Sequence, residues 1–232
     1  METISITVCG DGGTGKSSIS LRLVRSKWTH EYDPTVQDSY SVTRTVDGRE
    51  YSLHLTDTAG QEEYRGLWAS HNLAADAYLL VYDITNRDSL LALDYFHDLI
   101  EMEEEGRSVP LVKIVAGNKC DLAEGRQVSS QEGLAWARGH ECGFMETSAR
   151  NVVNIEETFA LLVRRVVAAR EAVANGTLVP ATYRKSSAPT AGRTPSTSGP
   201  ATQGGEKQQE APHLTYDNRP PPNKWGNCCT IC

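Results

Sequence analysis

The chain has 232 residues, 39% of them hydrophobic, and a formal net charge of −7, which allows one globular domain and a tail. An acidic chain with no basic stripe interleaved with aromatics is poorly suited to neutralise a run of phosphates, so nucleic acid is not expected as a partner. No stretch approaches 18 consecutive apolar residues, because "ALLVRRVVAA" is broken by Arg164 and Arg165, and this argues against a membrane span.

The first element is "ISITV", whose alternation of apolar and polar residues predicts a strand. A glycine-rich loop leads from it into a helix over Lys16–Lys27, where Ile19 and Leu23, and Leu21 and Val24, recur at helical spacing. "SYSVTRTV" and "EYSLHLTD" alternate on either side of Asp47-Gly48, which predicts a hairpin. "AYLLVYD" and "LVKIVAG" are continuous apolar runs of the kind buried on both faces of a parallel sheet. Helical patterns at Ser89–Glu105, Ser130–His140 and Ile155–Ala174 separate and follow them. The expected fold is α/β, a mostly parallel sheet with helices on both faces and one antiparallel edge hairpin.

The chemistry is concentrated in four short stretches. "GDGGTGKS" places Gly10, Gly15, Lys16 and Ser17 at the G-x-x-x-x-G-K-[ST] spacing between a strand and a helix. There the loop N–H groups and the helix dipole can hold phosphate oxygens, Lys16 can reach the terminal phosphates, and the Ser17 hydroxyl can ligate Mg²⁺. In "LTDTAGQEEY", Asp57 at a strand end supplies a carboxylate for the metal, Gly60 an unobstructed N–H, and Gln61 an amide able to orient an attacking water. In "YDPTVQDSY", Thr35 follows Pro34 and can sense the γ-phosphate through its hydroxyl and N–H. "NKCD" closes an apolar strand. Its Asp121 carboxylate accepts from the two neighbouring N–H groups that guanine presents and adenine lacks, while Asn118 and the stem of Lys119 brace the base. "ETSAR" brings the Ala149 N–H toward the guanine carbonyl.

With these four stretches in order, residues 4–174 resemble the Ras subfamily of small GTPases. The resemblance implies a six-stranded sheet with five helices, bound GTP or GDP with Mg²⁺, and slow GTP hydrolysis within a switching cycle. Exchange factors, GTPase-activating proteins and effectors are the implied partners, the effectors binding through residues 32–40. It assigns nucleotide contacts to Gly12, Gly13, Thr14, Gly15, Lys16, Ser17, Ser18, Trp28, Tyr32, Pro34, Thr35, Gly60, Asn118, Lys119, Asp121, Ser148 and Ala149. Catalysis falls to Gln61, Lys16, Thr35 and Gly60, and the metal to Ser17, Thr35 and Asp57. No matched position supplies an arginine in cis, so a finger in trans is expected, with room for it at Gly12 and Gly13.

Four departures from the family stand out. Asp11 replaces a small apolar residue inside the phosphate loop, so its side chain is expected to face away from the phosphates. Gln37 removes an acidic charge from the effector region, and Trp28 replaces the usual Phe against the base. "VPLVKIVAGNK" is two residues longer than usual, the excess placed in a loop or bulge before the strand end.

Eight of the ten prolines fall from Pro180 onward among Ser, Thr, Gly and Gln, a composition that cannot bury enough surface to order itself. This divides the chain into a GTPase domain over 1–175, a flexible linker over 176–227 and a lipidation motif over 228–232. Cys9, Cys120 and Cys142 are scattered, which is no disulfide framework and fits a reducing compartment. The opening "METISITV" has neither a secretory h-region nor a Gly at position 2, so secretion and myristoylation are not expected.

The terminal "CCTIC" reads either as a C-x-x-C redox or metal pair or as a C-a-a-X signal. Its position favours prenylation of Cys229, and because one lipid chain holds weakly, palmitoylation of Cys228. The expected location is the cytoplasmic face of the plasma membrane. Two other functions are consistent with parts of this pattern: a nucleotide-dependent binding module that hydrolyses little, suggested by Asp11, and a P-loop ATP kinase, disfavoured by "NKCD".

Overall fold

The computed structural model describes residues 1–25, 37–58 and 75–177, with Gln37 described by its backbone alone. Strand β1 (Glu2–Cys9) turns Ile4, Ile6 and Val8 to one side of the sheet and Cys9 to the other, as a period of two requires. Helix α1 (Lys16–Arg25) follows at once and buries Ile19 and Leu23, one turn apart.

Strands β2 (Gln37–Val46) and β3 (Arg49–Thr58) form the expected hairpin, in register from Val46↔Arg49 to Gln37↔Thr58. Asp47 and Gly48 both take positive φ, 50° and 77°, the backbone of a type I′ turn that matches the twist of the strands. Strands β4 (Ala77–Asp83) and β5 (Val112–Asn118) are buried along their whole length, as their apolar runs predict. A sixth strand, β6 (Gly143–Glu146), completes the order β2-β3-β1-β4-β5-β6, parallel except for the β2–β3 hairpin.

One detail corrects the sequence reading and another narrows it. The helical pattern at Ser89–Glu105 is two helices, α2 (Arg87–Leu91) and α3 (Leu93–Glu104), meeting at Ala92. The first is set by Asn86, whose side chain accepts the Asp88 N–H at 3.0 Å and caps the turn three residues before Ser89. The β4–β5 ladder is unbroken from Val112 to Asn118, so no bulge interrupts that strand and any added length precedes Val112. Helices α4 (Ser130–Gly139) and α5 (Ile155–Ala174) match their predicted spans, and a single 3₁₀ turn, Ala123–Gly125, lies between β5 and α4.

The sheet separates two apolar cores. On one side Ile6, Leu55, Leu79 and Ile114 pack with Ile19 and Leu23 of α1 and Phe159, Leu162 and Val166 of α5. On the other Tyr78, Leu80, Tyr82 and Val115 pack with Leu93, Phe96 and Ile100 of α3 and Ala137 of α4. The carboxyl ends of the parallel strands therefore share one rim, where open α/β sheets bind their ligands. Gly10, Asp57, Asp83, Asn118 and Thr147 all lie at or just past those ends.

Candidate functional site

The loop after β1 is shaped by three glycines with positive φ: Gly10 at 136°, Gly13 at 73° and Gly15 at 95°. At Gly10 a Cβ would stand 2.1 Å from the Val81 carbonyl oxygen, and at Gly15 it would stand 2.3 Å from Asn118 Nδ2. Only glycine fits at either position, and the second ties the loop to β5. The chain then enters α1, with the Ile19 N–H donating to the Gly15 carbonyl at 3.0 Å.

Lys16 is 6% exposed at the start of that helix, and its Nζ donates to the Asp11 carbonyl at 2.8 Å. Thr14 Oγ1 donates to the same carbonyl at 2.9 Å. Asp11 is thus part of the loop through its main chain, with its side chain half-buried. Burial pushes the Lys16 ammonium below its usual range, and Asp57, Cys9 and then Asp11 oppose that fall.

Asp57 is fully buried near the end of β3, opposite Val8 in the ladder. Among the described residues neither carboxylate oxygen has a donor in hydrogen-bond geometry, although the Ser17 hydroxyl stands near enough to oppose the rise in its pKa. Burial outweighs Ser17 and Lys16 and pushes the Asp57 carboxyl up to about 6. A buried carboxylate so poorly partnered costs folding free energy unless a cation completes it.

A network of side chains surrounds the end of β5. Asn118 donates through Nδ2 to the Thr14 carbonyl at 2.8 Å, and its Oδ1 accepts from Thr147 Oγ1 at 3.2 Å. One amide therefore joins the phosphate loop to the loop after β6. Lys119, with φ of 64°, turns the chain out of β5, and its Nζ donates to Asp83 Oδ2 at 2.5 Å. Asp121 Oδ1 accepts from Ser148 Oγ at 2.6 Å, and Ser148 Oγ accepts the Asn151 N–H at 3.0 Å. The Ser148↔Val153 bridge closes this loop, leaving Ala149 4% exposed within it. Arg22 of α1 holds the loop from below, its Nε donating to the Ala149 carbonyl at 2.8 Å.

The structure thus brings Gly12 to Ser18, Asp57, Asn118, Lys119, Asp121, Ser148 and Ala149 to one rim of the sheet. Trp28, Tyr32, Pro34, Thr35, Gly60, Gln61, Cys228 and Cys229 lie outside the described residues. Asp83, Thr147 and Arg22 join this network without having been singled out in the sequence, although Thr147 lies within "ETSAR". The first two follow apolar strand runs and could have been sought at strand ends; Arg22 sits in an ordinary amphipathic helix.

The Ras family matches residues 5–168 of the chain. The Ras-like protein rasS of Dictyostelium discoideum is 39% identical over 171 residues, covering 74% of this chain and 87% of that protein.

Proposed function

The chain belongs to the Ras family of small GTPases and is a GTP-binding switch, and on that premise we propose how its residues divide the work. The carrying observation is the Asn118 amide, which fastens a glycine loop suited to phosphates to a pocket suited to guanine. The main-chain N–H groups of Gly13 to Ser18 bind the phosphates, and Lys16 stabilises charge developing on the terminal phosphoryl group. Asp121 accepts from guanine N1 and N2, and the Ala149 N–H donates to the guanine carbonyl. Trp28, Tyr32 and Pro34 complete the nucleotide contacts.

Asp57 fits Mg²⁺, because its carboxylate is buried, raised in pKa and without a hydrogen-bond partner among the described residues other than the nearby Ser17 hydroxyl. Ser17, Asp57 and Thr35 are the residues that would hold the ion, which when bound neutralises phosphate charge. Gln61 orients the water that adds to the γ-phosphoryl group as GDP departs, with the Gly60 and Thr35 N–H groups fixing that group. Without an arginine in cis the intrinsic rate is slow, and an activating protein that inserts one raises it by about 10³–10⁵. Thr35 and Gly60 release when the γ-phosphate is lost, and residues 32–40 present the result to effectors.

At the other end, Cys229 carries a prenyl group and Cys228 a palmitoyl group, holding the protein on the cytoplasmic face of the plasma membrane. Single-turnover hydrolysis of GTP with and without a GTPase-activating protein tests the catalytic reading. Stimulated turnover lost in Gln61→Leu is expected; no hydrolysis above buffer even when stimulated leaves a binding module instead. Copurifying GDP is expected, and ATP would reverse the base assignment. Cys229→Ser should move the full-length protein from membrane to soluble fractions, and an unchanged partition would reject the anchor.

A further inference from the structure

Asp83 ends β4 beside Asn118 of β5, in the last pair of that ladder. Its carboxylate is fixed on both oxygens: Oδ1 accepts the Thr85 N–H at 2.8 Å and Thr85 Oγ1 at 2.7 Å, and Oδ2 accepts Lys119 Nζ at 2.5 Å. Its own N–H donates to Ser89 Oγ at 2.9 Å, so the main chain beneath it is held as well. The Asp83 side chain is 10% exposed, whereas that of Lys119 is 32% exposed. A rigid, nearly buried acceptor therefore holds the far end of a flexible, partly wet side chain.

We infer that Asp83 is a positioning residue for nucleotide binding, which by holding the Lys119 ammonium sets the Lys119 stem as a brace for the base and slows nucleotide release. The inference rests on the guanine-pocket reading above. A lysine stem has four rotatable bonds, and ordering it only when ligand arrives would subtract from affinity. The Asp83 clamp orders it beforehand. Releasing the ammonium would also free a positive charge near a polyphosphate, which favours binding. That charge is a third exposed and screened by water, so lost ordering outweighs it. The pair is better explained this way than as a prop for the fold, since a half-wet ion pair contributes little to stability.

The test follows the release of a fluorescent GDP analogue from the full-length protein with Mg²⁺ and excess unlabelled GDP. Asp83→Asn keeps the shape and an acceptor for Thr85 but loses the charge, and should release the analogue about three- to tenfold faster. Thr85→Val, which loosens the same carboxylate from the opposite side, should act in the same direction by a smaller factor. In a Lys119→Met background Asp83→Asn should add nothing, because the group it acts through is gone. Equal acceleration in both backgrounds would mean a structural role and overturn the inference. So would unchanged or slower release in Asp83→Asn. If Lys119→Met alone leaves release unaltered, the guanine-pocket reading fails as well, and that outcome is distinct from failure of Asp83 alone.

Discussion

The two ends of the proposed nucleotide site are built from different material. At the phosphate end the shape comes from main chain, with Gly10, Gly13 and Gly15 in conformations that L side chains rarely adopt. At the base end it comes from side chains, with Asn118, Lys119, Asp121, Thr147 and Ser148 linked to one another or to Asp83 and Thr14. A phosphate presents oxygens in every direction, and closely spaced N–H groups suit it. A purine edge presents a fixed order of donors and acceptors, which only specific side chains can match. The first kind of site fails when an atom is added, and the second when one is removed.

Adding one methyl group tests the phosphate end most severely. Gly10→Ala drives a Cβ into the Val81 carbonyl, so β1 and β4 must part at the centre of the sheet. The expected cost is about 3 kcal/mol or more, lowering Tm by roughly 6–12 °C. Gly13→Ala has only the φ penalty, since its Cβ would meet nothing within 4 Å among the described residues, and should cost about 1–2 kcal/mol. Thermal unfolding of both variants with GDP bound checks the order. Equal losses at the two positions would break the claim that close main-chain packing limits this end.

The base end is tested by deletion. Asn118→Ala strands the buried Thr14 carbonyl and Thr147 hydroxyl, each worth about 1–3 kcal/mol when unpaired. Because the same amide joins the two ends, GDP affinity should fall by a factor of about 30 or more. Asn118→Asp keeps an acceptor for Thr147 but loses the donor to Thr14, and should show how much of the loss belongs to the phosphate loop. Isothermal titration of nucleotide-free protein measures both.

The phosphate end is the more legible in sequence because its parts are contiguous. Eight residues, "GDGGTGKS", carry the glycines, the lysine and the serine, and the helix they feed begins at Lys16 as its spacing predicts. At the base end "NKCD" and "ETSAR" are visible, but the bonds that make them one pocket are not. Asn118 reaches Thr14 across 104 residues and Arg22 reaches Ala149 across 127, and no periodicity records such pairs. The same limit explains two features of the fold. β6 spans four residues, too few for an alternation to show, and is expected only through the family resemblance. The break at Ala92 is hidden because Leu90, Leu93, Phe96 and Ile100 keep helical spacing across it.

The smallest effect is expected beneath the base end, where Tyr82 separates what holds the pocket from what merely fills the core. Its ring is fully buried and its hydroxyl has no hydrogen-bond partner among the described residues. The oxygen occupies space left by two glycines: a Cβ at Gly117 would come within 2.7 Å of it, and one at Gly133 within 2.2 Å. Tyr82→Phe removes an unpaired polar atom, recovering part of its desolvation cost while losing a few contacts to the glycines. The balance should be a gain of up to about 1 kcal/mol, or a Tm rise of about 2–4 °C, in a domain of this size. GDP release should not change, because every polar bond assigned to the base pocket is left intact. A stabilised protein with unaltered release would place the rigidity of the pocket in its side-chain bonds. Faster release with unchanged Tm would shift it to the packing below, and the contrast between the two ends would have to be redrawn.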